Sequence, residues 1–300
     1  MISLKGLFAS SKWYTKVGLL MGIPVFLMLF SAAICAIINH VAGIDTAQAD
    51  SQHLLWMQAF QSGCTFILGG WLYAYLTSAQ PAQYFGINRL NSGWLYVIAT
   101  LAMYLLSPLV SITAYWNNGI QLPESLHAIE ELLRSMEDSA NDLTLQIMQG
   151  NSVWILLVVM ALLPAIGEEF LFRGGLQKGI QNKTGNAHLA VWVTAFVFSF
   201  IHFQFYGFIP RFVLGIALGY FYVYGKSLWI PIWAHFVNNS TAVLSYKLMY
   251  QATNETNLST MGSPTYLEDY LTAIVALISV VLYVGSMLIF VFIARNRKAQ

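Results

Sequence analysis

The sequence predicts an all-α polytopic membrane protein with about eight transmembrane helices. Three observations carry that prediction. Of the 300 residues, 57% are hydrophobic and only 9% charged, whereas soluble domains carry roughly 25% charged residues. Mean hydropathy is +0.61, too apolar for a chain that must cover its surface in water. Apolar stretches of about 20 residues, the length that crosses a bilayer, recur along the chain between short polar links. The net charge of +1 says nothing about nucleic acid, but no basic run long enough for a phosphate backbone appears, so nucleic acid is not an expected partner. Cys35 and Cys64 lie in separate apolar stretches without Cys-x-x-Cys spacing and read as buried small hydrophobes.

Span one is Val17–Ile38, behind a polar stretch holding Lys5, Lys12 and Lys16. Ala47-Gln48-Ala49 resembles a signal-peptidase site, but the apolar run exceeds the ~7–15 residues of a signal core. A retained helix is expected. Span two is about Leu55–Leu76, and span three about Trp94–Trp116 with a kink expected at Pro108. From Asn117 to Gly150 the pattern changes. Glu130, Glu131, Arg134, Glu137, Asp138 and Asp142 alternate with Leu126, Ile129, Leu132, Leu133 and Met136, as in an amphipathic extramembrane helix or helix pair. Span four begins near Ser152. Span five is about Leu189–Phe208, span six about Phe212–Tyr224 and span seven about Leu228–Tyr250. A polar loop, Gln251–Glu268, leads to span eight, about Tyr270–Ala294. Three regions result: 1–150 with three spans and the acidic segment, a core at 151–250, and 251–300 with the loop and last span.

Alternating the spans puts Lys5, Lys12, Lys16, Arg89, Lys178, Lys183, Lys226, Arg295, Arg297 and Lys298 on one side. The other side takes nearly all the carboxylates. The positive-inside rule then predicts both termini in the cytoplasm, and a bacterial plasma membrane is the expected location.

Only Glu168 and Glu169 break that segregation. They lie inside an apolar segment with Arg173, where a charge costs at least ~2.5–3.5 kcal/mol unless compensated. Glu169 and Arg173 are four apart on one helical face, acid first, the favourable order for an ion pair. Glu168 points about 100° away and has no basic partner at helical spacing. His202 in span five, and His235 with Asn239 one turn on in span seven, add polar groups to the membrane interior. A carboxylate with imidazole and amide groups suits activation of water on a carbonyl. Glu168, His202 and His235 equally form a ligand set for zinc. Each element alone is also ordinary helix–helix glue, worth about 0.6 kcal/mol, and a proton pathway uses the same residue types. Counting at 1.5 Å per residue places Glu168 near the cytoplasmic end of span four and His202 beyond the middle of span five. Convergence then requires a displaced span five, or kinks at Pro164 and Pro231.

Glu168-Glu169-x-x-x-Arg173, Phe198-x-x-x-His202 and His235-x-x-x-Asn239, in that order on separate spans, resemble the CPBP family. These are the type II CAAX prenyl endopeptidase and bacteriocin-processing-related intramembrane proteases, also called the ABI family. The resemblance covers roughly Val153 to Tyr250. It implies a peptide-cleaving membrane cavity with Glu168 as general base. His202 would position water or stabilise the oxyanion, and His235 and Asn239 would hold the tetrahedral intermediate. Glu169, Arg173 and Phe198 would shape the site. Zinc is an open cofactor, since the same side chains serve a metal or a glutamate-dependent site. Expected partners are a peptide or lipidated-peptide substrate and membrane lipids, reached through Phe172, Phe198, Phe200, Phe203 and Phe236. The alternative class is a non-catalytic immunity or scaffold protein that keeps the cluster for packing. A proton-coupled transporter lacks support in any inverted repeat.

Overall fold

The computed structural model describes residues 4–45, 49–89, 91–253 and 269–296, and among these the ordered elements are all helical. Helix α1 is Trp13–Ala42. Helix α2 starts as Ser51–Ser62, passes through a π-helical stretch at Gly63–Leu68 and ends as Gly69–Thr77. A short α3, Pro81–Phe85, leads to α4, Gly93–Asn118, which runs unbroken through Pro108. The amphipathic segment forms one helix, α5 (His127–Gly150), after a 3₁₀ turn at Glu124–Leu126. Then come α6 (Val153–Thr184), α7 (Ala187–Phe200), α8 (Phe208–Gly225), α9 (Trp229–Thr253) and α10 (Asp269–Asn296). Ala47, Gln48 and most of the Gln251–Glu268 loop lie outside the described residues.

Every predicted span corresponds to a helical body. Trp13–Ala42, Gly93–Asn118, Val153–Thr184, Phe205–Gly225 and Ile274–Asn296 are each long and apolar enough to cross a membrane. The α2 body and α9 carry polar residues within their apolar runs, such as Gln58 and Gln61 in α2 and Asn238 in α9. The fifth span is shorter than expected. Its helix stops at Phe200, and residues through Gly207 form a turn instead of completing a crossing at Phe208. Anchors from elsewhere in the chain cause the stop. Asn117 donates from Nδ2 to the Phe205 carbonyl at 2.9 Å and accepts from the Ile209 N–H at 2.7 Å. Glu137 accepts from the Tyr206 N–H at 3.0 Å.

Helix α6 is the axis of the bundle. Half of its most apolar window is buried, against 17% for α1 and α10, which therefore stand at the periphery facing lipid. Glycines let neighbours reach its middle. A Cβ on Gly167 would stand 2.5 Å from that of Phe66, and one on Gly174 2.5 Å from the Phe85 ring. Pro164 lacks the N–H that would continue the α-helical ladder, and the preceding turns, Leu157–Leu162, are π-helical. A second π-helical stretch, Phe170–Gln177, follows Glu169 directly. Such widened turns inside α-helices concentrate at functional sites.

Glu168 stands halfway along α6, because the helix continues past the apolar run to Thr184. Gly185 ends it in the left-handed conformation (φ 69°), and Asn186 accepts from the Leu189 N–H to cap α7. The result is an antiparallel helical hairpin. Glu168 and His202 are equally far in sequence from Gly185, so they return to the same depth.

Candidate active site

Three helices and one turn bring the polar groups together. The centre is a buried cluster in which Glu169 and Arg173 are fully shielded from solvent. Glu169 Oε1 accepts from Arg173 Nη1 at 2.6 Å and from His235 Nδ1 at 2.9 Å. Arg173 Nη2 donates to the Gly215 carbonyl on α8 at 3.0 Å. Its guanidinium lies 4.9 Å over the Phe198 ring, a desolvated cation–π contact. The ion pair expected from the i, i+4 spacing is present, and it also grips His235, which spacing within α6 could not disclose.

Phe198 is the hub. Its ring meets His202 edge-on at 5.1 Å and His235 at 6.0 Å. Its carbonyl accepts from His202 Nδ1 at 2.7 Å. A carbonyl can only accept, so Nδ1 of His202 carries the proton and Nε2 of the neutral ring is a bare acceptor. The same logic applies to His235, whose Nδ1–H is held by the Glu169 carboxylate. In both rings the Nδ1 proton is thereby fixed by the group behind it.

In front of the rings is a cavity of about 370 Å³, lined by Glu168, His202, His235, Asn238, Asn239 and Arg211 with apolar side chains around them. Glu168 Oε2 is 3.8 Å from His235 Nε2, too long for a direct hydrogen bond and a span that one water can bridge. Asn238 Nδ2 donates to Asn239 Oδ1 at 3.3 Å, which occupies the Asn239 oxygen and leaves its NH₂ to act as donor. Every predicted site residue is placed at this cavity or directly behind it. Of the predicted aromatic approach only Phe198 contributes. Phe172 is buried in the core, Phe200 and Phe203 are exposed on the lipid side, and Phe236 packs on Trp233.

Two contributors escaped the sequence reading. Arg211 had the signature of a flanking charge, but Gln204 accepts from its guanidinium through both the backbone and side-chain oxygens and keeps it turned inward. Met148 reaches the cavity from α5, the helix outside the bundle. That helix is held down at its middle, where the Arg134 guanidinium lies 3.9 Å over the Tyr206 ring and Glu130 pairs with Arg134 at 2.9 Å. The Leu122 N–H and Arg134 hold the Glu130 carboxyl below its ordinary range, while burial pushes that of Glu137 up.

Glu168, His202 and His235 face one cavity, but among the described residues no three His, Cys, Asp or Glu side chains are disposed as ligands of a single metal ion.

Residues 150–241 match the protein family described as Type II CAAX prenyl endopeptidase Rce1-like. The matched window contains Glu168, Glu169, Arg173, Phe198, His202, His235 and Asn239, so the resemblance read from the three motifs holds there. A Bacillus subtilis (strain 168) protein described as "Uncharacterized protein YpbD" is 31% identical over 85 residues. That alignment covers 27% of this chain and 40% of the relative, so the likeness is confined to a part of each. No solved structure matches the chain.

Proposed function

We propose that this chain is an intramembrane endopeptidase that hydrolyses a peptide bond in a membrane-associated peptide, with the chemistry confined to residues 151–250. One observation carries the reading: Glu168, the carboxylate left out of the ion pair, shares a cavity with two histidines whose Nδ1 protons are committed behind them. Glu168 takes a proton from water as the water oxygen attacks the carbonyl carbon. The bare Nε2 of His202 accepts the other hydrogen of that water and aims it. The carbonyl oxygen becomes an oxyanion that accepts from the Asn239 amide, with the positive charge of Arg211 on the same cavity wall. As the C–N bond breaks, Glu168 returns the proton to the leaving amine. With its Nδ1 proton committed to the Phe198 carbonyl, His202 accepts at Nε2, so this reading gives it water positioning and gives the oxyanion to Asn239.

The substrate class is a peptide embedded in or tethered to the membrane, lipidated or not, as family resemblance supports. The charge segregation supports cytoplasmic termini in a bacterial plasma membrane. The test is cleavage of quenched fluorescent peptides, farnesylated and unmodified, by protein purified into nanodiscs. Glu168→Gln should lose hydrolysis while keeping the parent's thermal unfolding midpoint. Hydrolysis by Glu168→Gln at the parent rate would overturn the assignment of the base. Absence of hydrolysis of either peptide by the parent would favour the immunity or scaffold class.

A further inference from the structure

We infer that a second cavity, at the basic end of the bundle, binds one anionic phospholipid between α1, α6 and α7. It has a volume of about 460 Å³, within the range of small-molecule sites, and shares no lining residue with the cavity around Glu168. Trp13 and Val17 of α1 and Leu189 and Val193 of α7 line it and are also exposed. Its mouth therefore opens sideways between two helices whose outer faces meet lipid, and an acyl chain enters without crossing water. Gly179 forms part of the wall, and a Cβ there would meet nothing within 4 Å, so a larger side chain at that position has room to enter the space.

The headgroup end is set by charge. Lys16 and Lys183 line the cavity, and no carboxylate does. Lys16 donates one N–H to the Ala9 carbonyl at 2.7 Å, which fixes the ammonium in place and leaves its other protons for a phosphate. Ser11, Asn182 and Thr184 supply neutral polar groups at the same rim. Among the described residues the carboxylates outside the central cluster fall at the opposite end of the bundle, in the link after α1, from Glu124 to Asp142 along α5 and the turn before it, and at the start of α10. The charged side chains that line this rim are therefore all basic. A basic pocket between transmembrane helices, apolar within and cationic at the interface, fits a lipid phosphate better than a neutral headgroup. Trp13 adds the amphipathic ring typical of the membrane–water boundary.

The experiment titrates phosphatidylglycerol and phosphatidylcholine onto the purified full chain and counts retained lipid by native mass spectrometry. The expected result is one phosphatidylglycerol per chain, retained in preference to phosphatidylcholine and not displaced by inorganic phosphate. Lys16→Gln/Lys183→Gln should bind phosphatidylglycerol about 30-fold more weakly, the loss for two surface lysines at a lipid phosphate. Gly179→Leu should abolish retention by filling the cavity. Both variants are compared at matched thermal midpoints in pure phosphatidylcholine nanodiscs, and if Gly179→Leu does not fold, the lysine pair decides. Equal retention of both lipids, displacement by inorganic phosphate, or unchanged affinity in the lysine pair would each overturn the proposal.

Discussion

Arg173→Met tests how the site is held together. Glu169 and Arg173 are both fully buried and 2.6 Å apart, which at an effective dielectric of 20 is worth about 6 kcal/mol of attraction before desolvation. Desolvation consumes much of that, so the intact pair adds little net stability, while either member alone is a buried charge without a counter-ion. Arg173→Met and Glu169→Gln should therefore each cost about 3–5 kcal/mol. By the usual entropy scaling for a chain of 300 residues that lowers the unfolding midpoint by roughly 5–8 °C. The double variant Glu169→Gln/Arg173→Met removes both charges, and the amide oxygen it introduces would still accept from His235 Nδ1. Its stability should return to within about 1–2 kcal/mol of the parent, which gives a coupling energy of several kcal/mol in a double-mutant cycle. Thermal unfolding of the four proteins in one detergent measures it. If the losses of the two single variants simply add in the double variant, the two residues do not compensate one another and the account of the cluster fails.

Asn239→Ala should keep the parent's midpoint and lose about 10²–10³ in turnover, the usual loss for one oxyanion donor; an unchanged turnover would remove Asn239 from the chemistry. Elemental analysis of active protein should find less than stoichiometric zinc, and chelator should leave hydrolysis intact. One zinc per active chain, lost with activity in His202→Ala and His235→Ala, would establish the metal reading instead. With cytoplasmic termini, a cysteine replacing Ser135 should react with an impermeant thiol reagent from outside, and one replacing Asn182 should not. The reverse pattern would invert the orientation and place the α5 end in the cytoplasm.

Local spacing made the charged cluster legible, because Glu169 and Arg173 meet by helical geometry alone. The helix boundaries around it were less so. The aromatic run from Phe196 to Phe208 is interspersed with polar residues such as His202 and Gln204 without a clear stop signal at Phe200, and Asn117 and Glu137, distant in sequence, anchor the turn that follows. Phe203 adopts φ 52°, a left-handed conformation that nothing about a phenylalanine advertises. The equal spacing of Glu168 and His202 about Gly185 was present in the sequence. Reading Lys183-Thr184-Gly185-Asn186 as a tight helical turn, rather than as a broad loop, resolves the depth mismatch without displaced helices. The inward turn of Arg211 depends on Gln204 and has no local signal.

The shortness of α7 bears on the bilayer itself. Fourteen residues at 1.5 Å each give about 21 Å, against a hydrocarbon thickness of about 30 Å. Leu189, Trp192, Phe196 and Phe200 are exposed along it, so this helix meets lipid directly and is not shielded by neighbours. Lipids beside it must shorten or tilt to match, because a brief hydrophobic surface draws the two leaflets together. The dent falls next to the turn that carries His202. Under the proposed function, a membrane-embedded peptide would therefore meet the protein beside His202, where the short helix favours a thin oily barrier.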